Sequence, residues 1–155
     1  MNSHGILMSG EMMRAYLAGR KNQTRRARGL ALINEKPDDW VWKGMGGNGE
    51  FVFLNTHQPA FPQQRIKPPY GYIGDELWFK ETHAVYTEGD VVCYRATDSR
   101  PKDVKWTPSI FMKRIHTRVV TRVIEVRVER VRDISEMDAM NPNSIYEEME
   151  VAMRL

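Results

Sequence analysis

A dense cluster of basic and polar side chains follows a short helical pattern near the N-terminus of this 155-residue chain. Within residues 20–28 every side chain is basic, amide, hydroxyl or methyl, and none is acidic. Its basic members are Arg20, Lys21, Arg25, Arg26 and Arg28, and its other polar members are Asn22, Gln23 and Thr24. Like charges at this density repel one another unless an anion lies among them. The cluster, called the basic loop below, is therefore a candidate phosphate-binding site.

The segment before the basic loop has the signals of a short amphipathic helix. Ser9 is a suitable N-cap, and Glu11 places a negative charge in the first turn, where the helix dipole favours it. Met13 and Leu17 are four residues apart, so we expect them to stack on one face. Gly19 favours the end of the helix, because a residue without a Cβ adopts the left-handed conformation without strain. The basic loop is thus expected directly after a helix.

The spacing within the basic loop carries a resemblance to a known family. Gly19-x-Lys21-x-x-Thr24-x-Arg26 resembles the Gly-x-Lys-x-x-Glu/Thr-x-Arg signature of the ASCH domain, a relative of the PUA RNA-binding fold. The resemblance implies an α+β fold, namely a PUA-like, mostly antiparallel β-barrel flanked by short helices. It implies RNA, single-stranded nucleic acid or a modified nucleoside as the ligand.

Two later segments add to this resemblance. After a Gly-Asp turn, the run Trp-Phe-Lys-Glu-Thr at 78–82 is similar to a barrel strand of phage-encoded ASCH-type proteins. The run Trp-Thr-Pro-Ser-Ile-Phe-Met-Lys-Arg at 106–114 also looks like those proteins. The likeness covers 9–28 and most of 68–140, whereas 30–66 has no counterpart in it.

An enzymatic function is a second interpretation of the same loop. The chain resembles bacterial ASCH-type amidohydrolases that remove the acyl group of N4-acetylcytidine, in which the residue matching Thr24 is the nucleophile and the one matching Lys21 activates it. A carboxylate from the helix after the last long strand assists there, but the corresponding stretch here reads Asn-Pro-Asn. Glu81, which directly follows a core strand, is our first candidate to replace it, ahead of Glu136 and Asp138. Because the usual carboxylate is missing, binding is favoured over amidohydrolase or ribonuclease activity.

A second basic cluster lies far from the first in sequence. Residues 113–122 contain no acid and five groups able to carry positive charge: Lys113, Arg114, His116, Arg118 and Arg122. We predict that both clusters line one groove that binds phosphates, while unpaired bases provide selectivity. The predicted nucleic-acid contacts are Arg20, Lys21, Arg25, Arg26, Lys113 and Arg114.

The charge distribution favours an anionic partner, and it also suggests a protein partner as the alternative. The net charge is +3 with a pI near 9.1. Residues 14–28 hold six basic groups and no acid, whereas 133–150 hold six acids and no base. Segregation of this kind steers an anionic ligand to one side of a protein. The alternative is a protein-interaction module that docks a partner through its acidic C-terminal helix.

Several classes of function have no support in the sequence. No apolar run approaches the roughly 18 residues that a membrane helix needs, and the N-terminus lacks the pattern of a signal peptide, so we expect a cytoplasmic protein without a membrane partner. Cys93 is the only cysteine, and the four histidines are scattered, so no metal is expected. Nucleotide-cofactor fingerprints are absent, and we expect no cofactor.

The remaining elements complete the expected fold, a single domain over all 155 residues. The aromatic runs at 40–42 and 51–53 flank a Gly-rich turn, which predicts a hairpin inside a Gly/Pro-rich insertion at about 30–72. Strands are expected at 77–79 and 91–95. The hairpin aromatics are able to stack on bases, but packing against the protein is the favoured interpretation.

The strongest strand pattern in the chain is 118–131. Ile124, Val126 and Val128 alternate with charged residues, which predicts one buried face and a central place in the barrel, with the N-terminal helix covering one opening. A helix is expected to begin near Ser135. A final helix is expected from Ser144, with its apolar face formed by Ile145, Met149 and Ala152.

Overall fold

A computed structural model of the chain describes residues 1–57, 63–86, 91–98, 104–133 and 151–154. The two α-helices of these ranges are α1 (Gly10–Leu17) and α2 (Ala31–Glu35). The strands are β1 (Ser3–Leu7), β2 (Arg25–Arg26), β3 (Trp40–Met45), β4 (Phe51–Asn55), β5 (Gln63–Ile66), β6 (Glu76–Lys80), β7 (His83–Tyr86), β8 (Val91–Tyr94), β9 (Val120–Arg122), β10 (Arg127–Arg130) and β11 (Val151–Arg154). The fold is thus α+β, rich in strands and poor in helices.

The chain divides into two compact units, each built from two separate stretches. Unit 1 comprises Met1–Asn22 and Asp75–Arg122, and unit 2 comprises Gln23–Gly74 and Val123–Leu155. The insertion expected at about 30–72 belongs to unit 2. The assignment of the whole chain to a single domain stays a prediction.

Unit 1 contains a three-stranded sheet with β6 in the centre. β1 pairs with β6 in parallel and β9 pairs with it antiparallel, while β7 and β8 form a separate antiparallel pair. Side chains alternate along β6, so that Leu77 and Phe79 are buried as the sequence predicts. Other buried apolar side chains of this unit include Ile6, Met8, Met112 and Val119.

Helix α1 of unit 1 begins and ends as its sequence predicts. The Ser9 hydroxyl accepts a hydrogen bond from the Met12 amide at 3.2 Å. At the other end Gly19 has φ +70°, and the Arg20 amide donates to the Ala15 carbonyl at 2.9 Å, which is the pattern of a Schellman cap. The predicted stacking face is wrong in part, because Met13 is buried but Leu17 is 47% exposed. The helix instead buries two consecutive methionines and Ala15.

Unit 2 contains the predicted hairpin. β3 and β4 pair antiparallel, with Trp42 opposite Phe53, and β5 adds a third strand on the other side of β4. Gly49 has a positive φ value of +74°, which lets the chain reverse between the strands. Gly44, with φ +108°, lies within β3 where its register with β4 shifts. A second sheet of this unit has the order β10-β11-β2 and is also antiparallel.

The sheets of the described residues are open, so the closed barrel expected from the sequence is corrected. These residues form three sheets of three strands and one of two strands. A barrel needs staggered pairing that returns to the first strand. Here the outer strands of a sheet, such as β3 and β5, are not paired to each other. Without a barrel, α1 has no barrel opening to cover.

The long strand predicted at 118–131 is wrong as a continuous element. It is divided into β9 in unit 1 and β10 in unit 2, with 123–126 outside any strand. Ile124 is 85% exposed, whereas Val123 and Val126 are buried. The alternation that predicted a continuous strand therefore fails because the chain leaves one sheet and enters another at this point.

The C-terminal predictions fall largely outside the described residues. The helix expected near Ser135 and most of the final helix lie in 134–150, which is not described. The prediction of the last turn of that helix is wrong, because Ala152 lies in β11, which pairs antiparallel with both β10 and β2. In the described ranges, no helix has the length and apolar character needed to cross a membrane.

Candidate functional site

The first residues of the basic loop belong to unit 1 and are fixed by the cap of α1. The amides of Arg20 and Lys21 both donate to the Ala15 carbonyl, at 2.9 and 3.2 Å. The side chain of Arg20 is exposed, whereas Lys21 retains only 5% of its surface. Lysines are rarely buried to this degree, which distinguishes Lys21 from a solvated phosphate contact.

The next part of the basic loop belongs to unit 2 and forms β2. Arg25 is 5% exposed, and its Nε lies 3.1 Å from Oε1 of Glu129 in β10. A second contact joins its guanidinium to the Gln23 side chain at 3.4 Å. Arg25 therefore links the two outer strands of the β10-β11-β2 sheet through its side chain. Arg26 is half-buried and Arg28 is exposed.

Thr24 has a hydroxyl in an unusual environment. The residue is half-buried, and its Oγ1 has less than 1 Å² of accessible surface and no hydrogen-bond partner among the described residues. A buried hydroxyl left without a partner costs about 1–3 kcal/mol. Such a group is suited to contact with a ligand or to a chemical role.

The second basic cluster contains groups of two kinds. Lys113 and Arg114 are exposed, and Arg114 pairs with Glu76 at the surface. An exposed ion pair of this type contributes little stability and is screened by salt, so a phosphate can compete for Arg114. Arg118, counted in the same cluster from the sequence, instead binds a carboxylate inside unit 1.

That carboxylate is Glu81, which is 1% exposed. Arg118 holds both of its oxygens, Nε to Oε1 and Nη2 to Oε2, each at 2.8 Å. The same guanidinium donates to the Thr97 hydroxyl at 2.8 Å and lies 4.2 Å from the centroid of the Tyr94 ring. Bidentate pairing with these added contacts fixes the orientation of the Glu81 carboxylate. The sequence indicates both Glu81 and Arg118 as charged candidates but not their pairing, because a partner 37 positions away gives no local signal.

Two histidines lie beside this ion pair. The ring centroids of His83 and His116 are 5.5 Å apart, and Nδ1 of His83 lies 3.3 Å from the Glu81 carbonyl oxygen. Burial lowers the pKa of His83 below its usual value, and the nearby His116 lowers it further, while the Glu81 carbonyl opposes this shift. Burial likewise raises the pKa of Tyr94, whose hydroxyl donates to the His116 carbonyl at 2.9 Å. Within the described part of the chain, no cluster of three or more His, Cys, Asp or Glu side chains is suited to a metal ion.

A cavity of about 280 Å³ opens next to Glu81 in unit 1. Its lining residues are Gly10, Arg14, Glu81, Thr82, Arg95 and Ala96. Arg14 and Arg95 are exposed at its mouth, whereas Glu81 is buried. The sequence does not indicate either arginine as a ligand contact, since the residues directly beside each are neutral.

Unit 2 has a more apolar cavity of about 320 Å³ beside the hairpin. Trp40, Trp42 and Phe53 line it together with Val128 and Arg130 of β10. Trp40 and Phe53 are buried, as expected for aromatics that pack against the protein, but Trp42 is 49% exposed. One hairpin aromatic thus remains available to a ligand.

The structure brings together some of the candidate residues within each unit. Glu81 joins Arg118 in unit 1, and Arg25 joins Glu129 in unit 2. The predicted groove with Arg20, Lys21, Arg25, Arg26, Lys113 and Arg114 stays a prediction. No family model, curated protein or solved structure matches the chain.

Proposed function

We propose that this protein binds nucleic acid, RNA in particular, or a modified nucleotide through exposed side chains of its two basic clusters. The observation that carries the proposal is the exposure of three basic side chains without acidic partners, Arg20, Arg28 and Lys113. All three are exposed, and none has an ion pair or hydrogen-bonded side-chain partner in the part of the chain that the structure describes. Exposed cations without acidic partners are the groups that bind phosphates and release counterions.

The proposed phosphate contacts differ in part from those expected from the sequence. Arg25 is engaged with Glu129, so we assign it to the stability of its sheet rather than to phosphate binding. Arg20 and Arg26 remain as contacts from the basic loop, and Lys113 and Arg114 from the second cluster. Lys21 is 5% exposed and is not proposed as a contact, whereas the exposed Arg28 is added. A relationship to the ASCH domain, without the closed barrel, remains part of the proposal, supported by the motif in the basic loop and by the α+β fold.

Binding is tested with labelled oligonucleotides by fluorescence anisotropy. The panel contains single-stranded and duplex RNA and single-stranded and duplex DNA, and cytidine and N4-acetylcytidine are titrated separately by calorimetry. We expect single-stranded RNA to bind best, because its unpaired bases expose their edges and faces. Failure of every nucleic acid and nucleoside to bind at 50 mM salt would refute the proposal.

A second candidate function, hydrolysis of an acylated cytidine, is favoured by one observation. The Oγ1 atom of Thr24 is buried and lacks a hydrogen-bond partner among the described residues, as suits a hydroxyl that reacts with a bound substrate. The resemblance to ASCH-type amidohydrolases assigns activation of the hydroxyl to Lys21, and Glu81 stays our candidate for the assisting carboxylate. Release of acetate from N4-acetylcytidine tests it, and no release at any pH between 5 and 9 would leave binding as the only function proposed.

A further inference from the structure

We propose that the cavity lined by Arg14, Arg95 and Glu81 binds the terminal nucleotide of a strand, with its phosphate monoester at the two arginines. This inference rests on the proposed function, because it names the part of the nucleic acid that one site receives. All residues of the cavity belong to unit 1. The ligand class follows from the charge, the acceptor groups and the size of the cavity.

The charge of the cavity matches a phosphate monoester. Arg118 is compensated by Glu81, so Arg14 and Arg95 supply the uncompensated positive charge. Neither of these arginines has an ion pair in the described ranges, and Arg14 uses only its Nη1 to donate to the Ala96 carbonyl, at 3.2 Å. A terminal phosphate carries a charge of about −1.5 to −2 at pH 7, whereas a phosphate inside a strand carries one. Two guanidiniums therefore suit the end of a strand better than its interior.

The buried end of the cavity suits a hydrogen-bond donor. Each oxygen of Glu81 accepts one bond from Arg118. A carboxylate has about four acceptor positions, so capacity remains for a donor on the ligand. A nucleotide offers such donors as ribose hydroxyls or as the exocyclic amine of the base, and both lie beyond its phosphate.

The walls of the cavity are held by two hydrogen bonds, one between backbone groups and one from the Arg14 side chain to a backbone carbonyl. The Arg95 amide donates to the Thr82 carbonyl at 3.0 Å, which ties the end of β8 to the segment between β6 and β7. The bond from Arg14 to Ala96 ties α1 to the same region. A volume of about 280 Å³ is at the low end of small-molecule pockets, which suits one nucleotide and excludes a duplex.

The test compares RNA 10-mers of one sequence that carry a 5′-phosphate, a 3′-phosphate or no terminal phosphate. Either the 5′-phosphorylated or the 3′-phosphorylated RNA should bind about tenfold more tightly than the unphosphorylated RNA. This factor is expected for one added set of charge-assisted hydrogen bonds. Arg95→Gln and Arg14→Gln should each reduce that ratio to near one. Arg122→Gln, which changes an exposed arginine of the same unit outside the cavity, should leave the ratio unchanged even if overall affinity falls.

The outcomes separate this inference from the proposed function. Equal binding of all three RNAs would overturn the terminal-phosphate site while leaving nucleic-acid binding intact. No binding of any RNA would refute the proposed function, and CMP titrated by calorimetry then decides the cavity: CMP binding that Arg95→Gln abolishes supports it, and no CMP binding overturns it.

A second comparison tests the role of Glu81. Weaker binding of dCMP than of CMP indicates that the carboxylate accepts from a ribose hydroxyl, and weaker binding of UMP than of CMP indicates the base amine. Equal affinity for CMP, dCMP and UMP would overturn the assignment of a ligand donor to Glu81.

Discussion

Removing either partner of the Glu81–Arg118 pair should lower the free energy of unfolding, and removing the arginine should lower it more. Breaking a buried ion pair costs about 3–5 kcal/mol, because a charge remains without compensation. Arg118→Met leaves the carboxylate of Glu81 with 2% of its side chain exposed, so the upper part of this range applies. Glu81→Gln leaves a guanidinium that is 23% exposed and still bonded to Thr97, so about 2–3 kcal/mol is expected.

Urea denaturation at pH 7, followed by tryptophan fluorescence, measures these differences. The double variant Glu81→Gln/Arg118→Met should recover part of the loss, giving a coupling energy of about 1.5–3 kcal/mol. The exposed pair Glu76–Arg114 is the matched control, and the same cycle there should give a coupling of about 1 kcal/mol or less. Additive effects at Glu81 and Arg118, or a larger cost for Glu81→Gln than for Arg118→Met, would refute the buried bidentate geometry.

Three further predictions test separate parts of the structure. Ser9→Ala should lower the free energy of unfolding by about 1 kcal/mol in urea titrations through loss of the helix cap, while Ser9→Asp should retain it. If the protein is a hydrolase, Thr24→Ala should abolish release of acetate from N4-acetylcytidine and leave nucleoside affinity nearly unchanged, whereas Lys21→Ala should impair both; residual turnover in Thr24→Ala would exclude that hydroxyl as the nucleophile. Because the folded state lowers the pKa of His83 below 6.5, the unfolded chain binds the proton more readily, so stability should fall as the pH drops below about 6.5. His83→Gln should reduce this loss between pH 7.5 and 5.5, and an unchanged pH dependence would contradict the assignment.

The elements that the sequence predicts well are those set by neighbouring residues. The cap of α1 depends on Ser9 and Gly19, which act within one turn of the helix. The hairpin of β3 and β4 likewise depends on a turn rich in glycine between two aromatic runs. Signals of this range can be read from a single sequence.

The elements that the sequence misses depend on distant partners. Alternation at 118–131 indicates a strand but does not show that β9 joins β6 while β10 joins β11. Ala152 fits a helical face, yet its segment completes a sheet with β2 and β10, and that pairing overrides a helical pattern.

The same distinction applies to the candidate site. Arg25 and Arg118 are indistinguishable in sequence from the exposed arginines around them. Each nevertheless forms an ion pair with a carboxylate that is distant in sequence, Glu129 for Arg25 and Glu81 for Arg118. Charge density alone therefore overestimates the number of phosphate contacts. The sequence indicates Glu81 because this residue directly follows the core strand β6. It does not indicate the cavity beside Glu81, because other lining residues come from α1 and from the segment after β8.

The salt dependence of single-stranded RNA binding tests the central claim most directly. The measurement compares wild-type protein with Arg26→Glu/Arg114→Glu, and with Lys43→Glu as a charge-reversal control at an exposed hairpin residue. The wild-type binding constant should fall steeply between 50 and 200 mM salt, and the double variant should bind more weakly with a log–log slope smaller by about 0.7 per lost phosphate contact. The Lys43→Glu protein should keep the wild-type slope. RNA affinity that does not change with salt, or a slope reduced equally by Lys43→Glu, would contradict binding through the basic clusters.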